Sequence, residues 1–191
     1  MVLIECPAGR EQIMVGRAMS VAQPDRVVAE RVELRQVPVR LARVLADPEA
    51  DDPGSRSWAH GYPLPGSRVA ARNFVRQAEA AGDDGNGQWG MFEIILRETG
   101  EVIGDIGFHG PPGEAGTVEI GYSIVEQYRG RGLVGESAVA ICGLAWSRPE
   151  ATRIIARTEE GNAASAGVLR HAGFREDGVT DGLRNFSLDR P

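Results

Sequence analysis

The order of apolar patterns along the chain predicts an α+β fold around one mixed, mostly antiparallel sheet of about seven strands. Two observations predict it. The patterns run strand, two helices, three strands, helix, strand, helix, two strands, without the regular βα alternation of a doubly wound sheet. The three middle strands are joined by links short enough for hairpin-like turns, "TGE" and "PPGEAG".

Taken in order, residues 1–26 show no clear period and are set apart as an N-terminal extension, leaving 27–191 as one domain. "RVVAERVELRQV" alternates Val28, Glu30, Val32 and Leu34 against Ala29, Arg31, Glu33 and Arg35, which predicts a strand. "PVRLARVLADPE" reads as a short helix with Pro38 in its first turn and Val39, Leu41, Val44 and Leu45 as its stripe. Residues 47–67 are rich in Pro, Gly, Asp and Ser and predict a loop. A second helix follows in "SRVAARNFVRQAEAAG", with Ser67 expected as N-cap and Gly82 as its stop, before the turn "DDGNGQ". "WGMFEIILRE", "EVIGDIGFHG" and "TVEIGYSIV" are the three middle strands. "GLVGESAVAICGLAW" is a helix with Val134, Ala138, Ile141 and Ala145 on one side, and "TRIIART" a β-branched strand. "NAASAGVLRHAGF" is a helix with Asn162 as N-cap and Gly173 past its end, and "REDGV" and "LRNFSLD" close the chain as strands.

Composition narrows the function. The 191 residues carry a formal net charge of -6 and no lysine, which argues against a nucleic-acid partner. Cys6 and Cys142 are too few and too far apart for a disulfide framework, and Cys142 lies inside an apolar helical pattern. No apolar run approaches the ~18 residues of a membrane span, so no membrane partner is expected. Charges interrupt the apolar residues of the N-terminus as they do not in a secretory signal, and a cytoplasmic location follows by default. No His, Cys, Asp or Glu cluster has metal-ligand spacing, so no metal is expected.

The stretch "EQYRGRGLVGES" places Gly130, Gly132 and Gly135 in the spacing of a dinucleotide-binding turn. That motif opens the first βα unit of its fold, whereas here more than half the chain precedes it and too little follows for a doubly wound sheet. No Gly-Lys-Ser/Thr makes it a P-loop. What remains is a strand end, a glycine turn with Arg129 and Arg131, and a helix start. Amides at a helix N-terminus point outward without partners and bind phosphate, and glycines let a ligand approach the main chain. On the turn alone, a phosphate site and a plain turn with two solvated arginines stand even.

Gln127-x-x-Gly130-x-Gly132 resembles the Q/R-x-x-G-x-G/A pyrophosphate motif of the GNAT superfamily of acetyl-CoA-dependent N-acetyltransferases. "YRGRGLVGESAV", "ERVELR" and "NAASAGVLRHAGF" resemble its ribosomal-protein (RimJ/RimL-type) branch, and the similarity spans roughly 27–189. The resemblance implies a central sheet splayed in the middle, with helices on both faces and the pantetheine arm of acetyl-CoA in the gap. It implies that the backbone of Ile124 and Val125 pairs with that arm and polarises the thioester. Amides from Arg129 through Gly130, Arg131, Gly132 and Leu133 to Val134 would cradle the pyrophosphate, with Gln127 in the motif and Asn162 on the pantetheine arm. Asn162 is equally explained as a plain N-cap, and the two roles can coexist.

Acetyl transfer to an amine needs a neutral nucleophile, a polarised thioester and a proton for the leaving thiolate. Alternation in "TVEIGYSI" puts Val118, Ile120, Tyr122 and Ile124 on one face and Thr117, Glu119, Gly121 and Ser123 on the other. The family often uses a carboxylate at the Glu119 position to take the amine proton, commonly through water. Glu119 is therefore the expected base, and His109 a second candidate. The tyrosine that many members carry on the last helix is replaced by Leu169. The RimJ/RimL-type branch offers Ser165 instead as donor to the sulfur. A first-turn serine bonded to the backbone explains Ser165 at least as well.

The acceptor is expected to be an amine-bearing small molecule or a protein N-terminus, held by the two early helices and the loop 47–67. In that loop Asp47, Glu49, Asp51 and Asp52 are placed to attract a cation, with Trp58 and Tyr62 as an apolar wall. A homodimer is left open. The alternative to an enzyme is a catalytically weak CoA-binding module with a regulatory or assembly role, favoured by the missing tyrosine.

Overall fold

A computed structural model of the protein describes residues 25–47, 49, 57–82 and 89–191. Nearly all of the expected N-terminal extension, Cys6, Asp51, Asp52 and the turn 83–88 lie outside the described residues.

The strands are β1 (Arg26–Val28), β2 (Val32–Gln36), β3 (Met91–Leu96), β4 (Val102–Phe108), β5 (Thr117–Ile124), β6 (Arg153–Glu159), β7 (Arg175–Thr180) and β8 (Leu183–Asp189). The helices are α1 (Val39–Ala46), α2 (Pro65–Ala81), α3 (Leu133–Trp146) and α4 (Ala163–His171). The strands lie in the order β1-β2-β3-β4-β5-β6-β8-β7. Every neighbouring pair is antiparallel except β5 and β6, which run parallel.

The sheet has eight described strands where the sequence predicts about seven. The difference arises at residues 26–37, where the alternation continues through Ala29–Arg31 as if the strand did. Instead the chain reverses there: Val28 pairs with Glu33 and Arg26 with Arg35, and the Ala29 amide donates to the Val32 carbonyl at 3.0 Å. Period 2 survives a tight reversal, so the pattern conceals the hairpin.

The parallel contact between β5 and β6 is short. It covers only Thr117–Glu119 against Arg153–Ile155, after which the strands part, β5 continuing to Ile124 and β6 to Glu159. A wedge therefore opens in the middle of the sheet.

Helices cover both faces, and hydrogen bonds show which. Ser67 of α2 bonds Asp105 of β4 and stands 3.0 Å from Ser123 of β5, whereas Ser165 of α4 bonds Tyr122. Ser123 and Tyr122 are consecutive on a strand and so point to opposite faces. The core follows the same division, with Leu34, Phe92, Ile94, Ile106, Ile120 and Ile154 each no more than 2% exposed. α3 supplies Ala138, Ile141, Leu144 and Ala145, an apolar surface that burial stabilises by about 25 cal/mol per Å². Among the described residues no helix is long and apolar enough to cross a membrane.

Candidate active site

The glycine turn sits between the end of β5 and the start of α3, beside the wedge. Gly130 and Gly132 have φ of +70° and +75°, a left-handed backbone that a side chain would strain. Gly132 is the N-cap of α3. None of the main-chain amides from Gly130 to Gly135 donates to a described residue; the first amide of α3 that does is that of Glu136, to Gly132. Arg129 and Arg131 flank this row of donors, with the Arg131 guanidinium 5.4 Å from the centre of the Tyr128 ring. Gln127 lies exposed in the short 3-10 turn Glu126–Tyr128. The arrangement fits a pyrophosphate: outward amides, two cations and no competing acceptor.

A clip from the β1–β2 hairpin fixes the turn. Glu136 accepts from the Arg31 main-chain amide at 2.6 Å and from its Nε at 2.9 Å, while Arg31 Nη1 donates to the Arg131 carbonyl at 2.8 Å. The sequence shows Arg31 as one position of an alternating strand and as part of a resembling string; its partner stands 105 residues away, beyond any local pattern.

The wedge edge of β5 differs from the expectation in one residue. The Val125 amide donates to the Ile103 carbonyl at 3.0 Å, so it points toward β4 and is not available to a ligand in the gap. Amide and carbonyl directions alternate along a strand, so Tyr122 and Ile124 face the gap instead. The Ile124 main chain is turned to the gap, whereas the Val125 amide is engaged by β4. The Ile124 carbonyl is approached by Arg129 Nε at 3.4 Å.

Across the wedge, the Asn162 side chain accepts from the Ser165 amide at 3.0 Å, the N-cap geometry of α4. The Ser165 hydroxyl lies 2.8 Å from the Tyr122 hydroxyl, which also donates to the Ser165 carbonyl at 3.2 Å. Burial pushes the Tyr122 phenol up, against the pull of its bond to Ser165. A tyrosine of β5 thus meets the first turn of α4. Alternation alone made Tyr122 look like a core residue.

On the α2 face, Glu119 is gripped by Arg157 of β6 through two bonds of 2.9 Å, and His109 Nδ1 lies 3.5 Å from its Oε1. Partial burial raises the Glu119 carboxyl, but the bonds and charges of His109 and Arg157 outweigh it and hold the group at about 2. Glu119 is ionised at any working pH. The His109 ring lies over Gly121, where an added Cβ would come within 2.6 Å of Nε2.

A cavity of about 450 Å³ opens between α2 and strands β4 and β5. Phe74, Met91, Ile106 and Phe108 supply apolar lining, and Asn73, Gln77, Asp105, His109 and Ser123 the polar atoms. Ser67 does not cap α2 as expected. α2 begins at Pro65, which puts Ser67 a turn deeper, fully buried, where it accepts from the Leu64 amide and donates to Asp105. Trp58 and Tyr62, expected as an apolar wall, do not line this cavity. Their rings meet edge to face at 5.6 Å against the core, and α2 lines the cavity in their place. Among the described residues no group of three or more His, Cys, Asp or Glu could hold a metal ion.

The acetyltransferase (GNAT) domain family matches residues 31–175, most of the chain and every element just described except β1, β8 and most of β7. The chain belongs to the GNAT family. It is 33% identical over 162 residues to the uncharacterized N-acetyltransferase p20 of Bacillus licheniformis, covering 85% of this chain and 87% of that protein. Among solved structures, an acetyltransferase from Agrobacterium tumefaciens superposes with a TM-score of 0.58 at 24% identity, over 94% of this chain and 99% of that one. Mycobacterium smegmatis RimJ, solved in complex with CoA-disulfide, gives 0.58 at 22% identity over 87% and 88%. These likenesses show that the split sheet is the GNAT fold. The protein is an acyltransferase of this family, an acetyl-CoA-dependent N-acetyltransferase in general terms.

Proposed function

We propose that this GNAT protein transfers the acetyl group of acetyl-CoA to a primary amine, on a small molecule or a protein N-terminus, by direct attack within a ternary complex. The observation that carries this reading is the row of unengaged amides from Gly130 to Gly135 beside the gap between β5 and β6. Those amides, with Arg129 and Arg131, hold the pyrophosphate. Ile124 and Tyr122 pair with the pantetheine arm on the β5 side, and the free amide end of Asn162 meets it from α4. The acceptor enters the cavity under α2, on the face opposite α4.

The amine nitrogen forms a bond to the thioester carbon, the carbon–sulfur bond breaks, and the sulfur gains a proton. Ser165, hydrogen-bonded to Tyr122, supplies that proton, with the phenol replenishing the hydroxyl. Glu119 is the carboxylate of the base function, but it works at a distance. Five residues of extended strand put it roughly 16 Å from Ile124. Pinned as an anion by Arg157, it orients His109 and draws protons outward through that ring or a water.

The ribosomal-protein acetyltransferases among the structural neighbours support a protein N-terminus as one acceptor class. The test is thiol release from acetyl-CoA with a panel of small amines and short peptides, with the products weighed by mass spectrometry. Turnover of at least one panel member is expected. Absence of turnover with every member, while CoA still raises the melting temperature, would favour a CoA-binding module instead.

A further inference from the structure

The floor of the α2 cavity holds an ionisable group that the reaction as described does not use. Asp105 of β4 is 4% exposed and lines the cavity. Two hydroxyls converge on one of its oxygens: Ser67 and Ser123 both donate to Oδ2, the latter at 2.9 Å. No described residue donates to Oδ1, which is left as the oxygen available to whatever fills the cavity.

Its place on the sheet matters as much. Asp105 is paired in register with Ser123, and its neighbour Gly104 with Ile124. A Cβ on Gly104 would come within 2.2 Å of the Ser123 carbonyl and 3.0 Å of Ile124 Cα, so the main chains of β4 and β5 lie close together at this step of the register. Asp105 is one register step from Ile124, where Glu119 is five residues away.

We propose that Asp105 receives the acceptor as a primary ammonium on an apolar body and takes its proton on Oδ1, with Ser67 and Ser123 as positioning residues. This rests on the acetyltransferase reading and identifies the group that touches the amine. Burial disfavours carboxylate and ammonium alike, so proton transfer turns two buried charges into none and leaves a neutral nucleophile. Burial also raises the Asp105 carboxyl to about 6, against the pull of both serines, nearer the basicity a general base needs than Glu119 has. The charged or titratable groups facing it are Glu93, its register partner on β3, and His109 and Tyr122 in the cavity wall, with the anionic Glu119 farther along the Ser123 face of β5 beside His109; α2 and β5 otherwise present the neutral Ser67, Asn73, Gln77 and Ser123.

Protons balance. An ammonium loses two in becoming an amide. The first passes to Asp105 and then by His109 to solvent; the second offsets the one gained by sulfur.

The test compares Asp105→Asn, Ser67→Ala and Glu119→Gln with wild type, using 2-phenylethylamine in one arm and an Ala-Phe dipeptide amide in the other. The arms separate a small-molecule amine from a peptide N-terminus. Asp105→Asn is expected to lower kcat at least 100-fold, with CoA-induced thermal shifts unchanged and the limb of the kcat/KM profile near pH 6 abolished. Ser67→Ala should keep that limb but displace it, which a merely structural serine would not do. Glu119→Gln should cost no more than about 10-fold. Asp105→Asn that folds and keeps more than half of kcat, or a Glu119→Gln deficit larger than that of Asp105→Asn, would overturn the inference and leave the acetyltransferase reading standing. Wild-type inactivity in both arms with CoA still bound would overturn both.

Discussion

Arg157 and Glu119 join the two strands of the wedge through a pair of bonds, Nε to Oε1 and Nη2 to Oε2, both 2.9 Å. Glu119 is the last residue of β5 paired with β6. The ion pair therefore stands where the strands begin to part and ties them at the fork. A bidentate guanidinium–carboxylate pair has the fixed geometry such a tie needs.

Arg157→Met should loosen the fork. Glu119 is depressed from 4.5 to about 2, so its contribution to stability is fully present above pH 4.5 and is lost as pH falls through about 2. Because Arg157 is half exposed and screened, the expected cost at pH 7 is about 1 kcal/mol. Denaturation midpoints of variant and wild type should differ at pH 7 and converge toward pH 2; a difference independent of pH would place the loss elsewhere.

Asp105→Asn should stabilise the fold while disabling it. Asp105 is raised from 3.8 to about 6, so the native state favours the protonated form. The stability this brings is fully present below pH 3.8 and lost as pH rises through 6. Asparagine stays neutral, so the variant's advantage should grow between pH 4 and 6 and level off above, at no more than about 3 kcal/mol. Urea titrations at pH 4 and 8 measure it, and equal midpoint differences at both would contradict it.

Glu136→Gln removes the charged acceptor of the Arg31 clip. The turn keeps its glycines but loses its tether, so KM for acetyl-CoA should rise about 10-fold, about 1.4 kcal/mol, with kcat little changed. A fall in kcat with unaltered KM would show that the clip serves the chemical step instead.

Gly132→Ala forces a side chain into φ of +75° at the N-cap of α3, at a cost of about 1–2 kcal/mol. The added Cβ meets only Arg31 Nη2, at 3.4 Å, so backbone strain is the main effect. Isothermal titration with CoA should show affinity falling about 10-fold; unchanged affinity would remove the pyrophosphate role from this turn.

Tyr122→Phe leaves Ser165 without its hydroxyl partner. Turnover should fall several-fold at constant KM for acetyl-CoA, and Ser165→Ala should add little to it, because the two act as one donor. Additive losses in the double variant would show that they act separately.

Local pattern made most of this fold legible. The period of "TVEIGYSI" fixes which side chains meet which helix, and Asn162 reads as a cap because capping is a three-residue affair. The hairpin at Ala29–Arg31 escaped because alternation continues through it. Val125 was misplaced because amide direction depends on pairing with β4, which side-chain pattern does not encode. Asp105 was invisible for a different reason. In "EVIGDIGFHG" it looks like a polar break in an apolar strand, and only its burial beneath Ser67 makes it chemically distinct.

Ser67 and Ser165 reach the sheet from opposite sides, with β5 between them. In the proposed complex the coenzyme and the amine therefore have separate doors. Neither has to leave before the other arrives, and a bulky acceptor can extend from its own entrance without crowding the nucleotide. Such a layout permits wide variation in acceptor size while the coenzyme half stays the same.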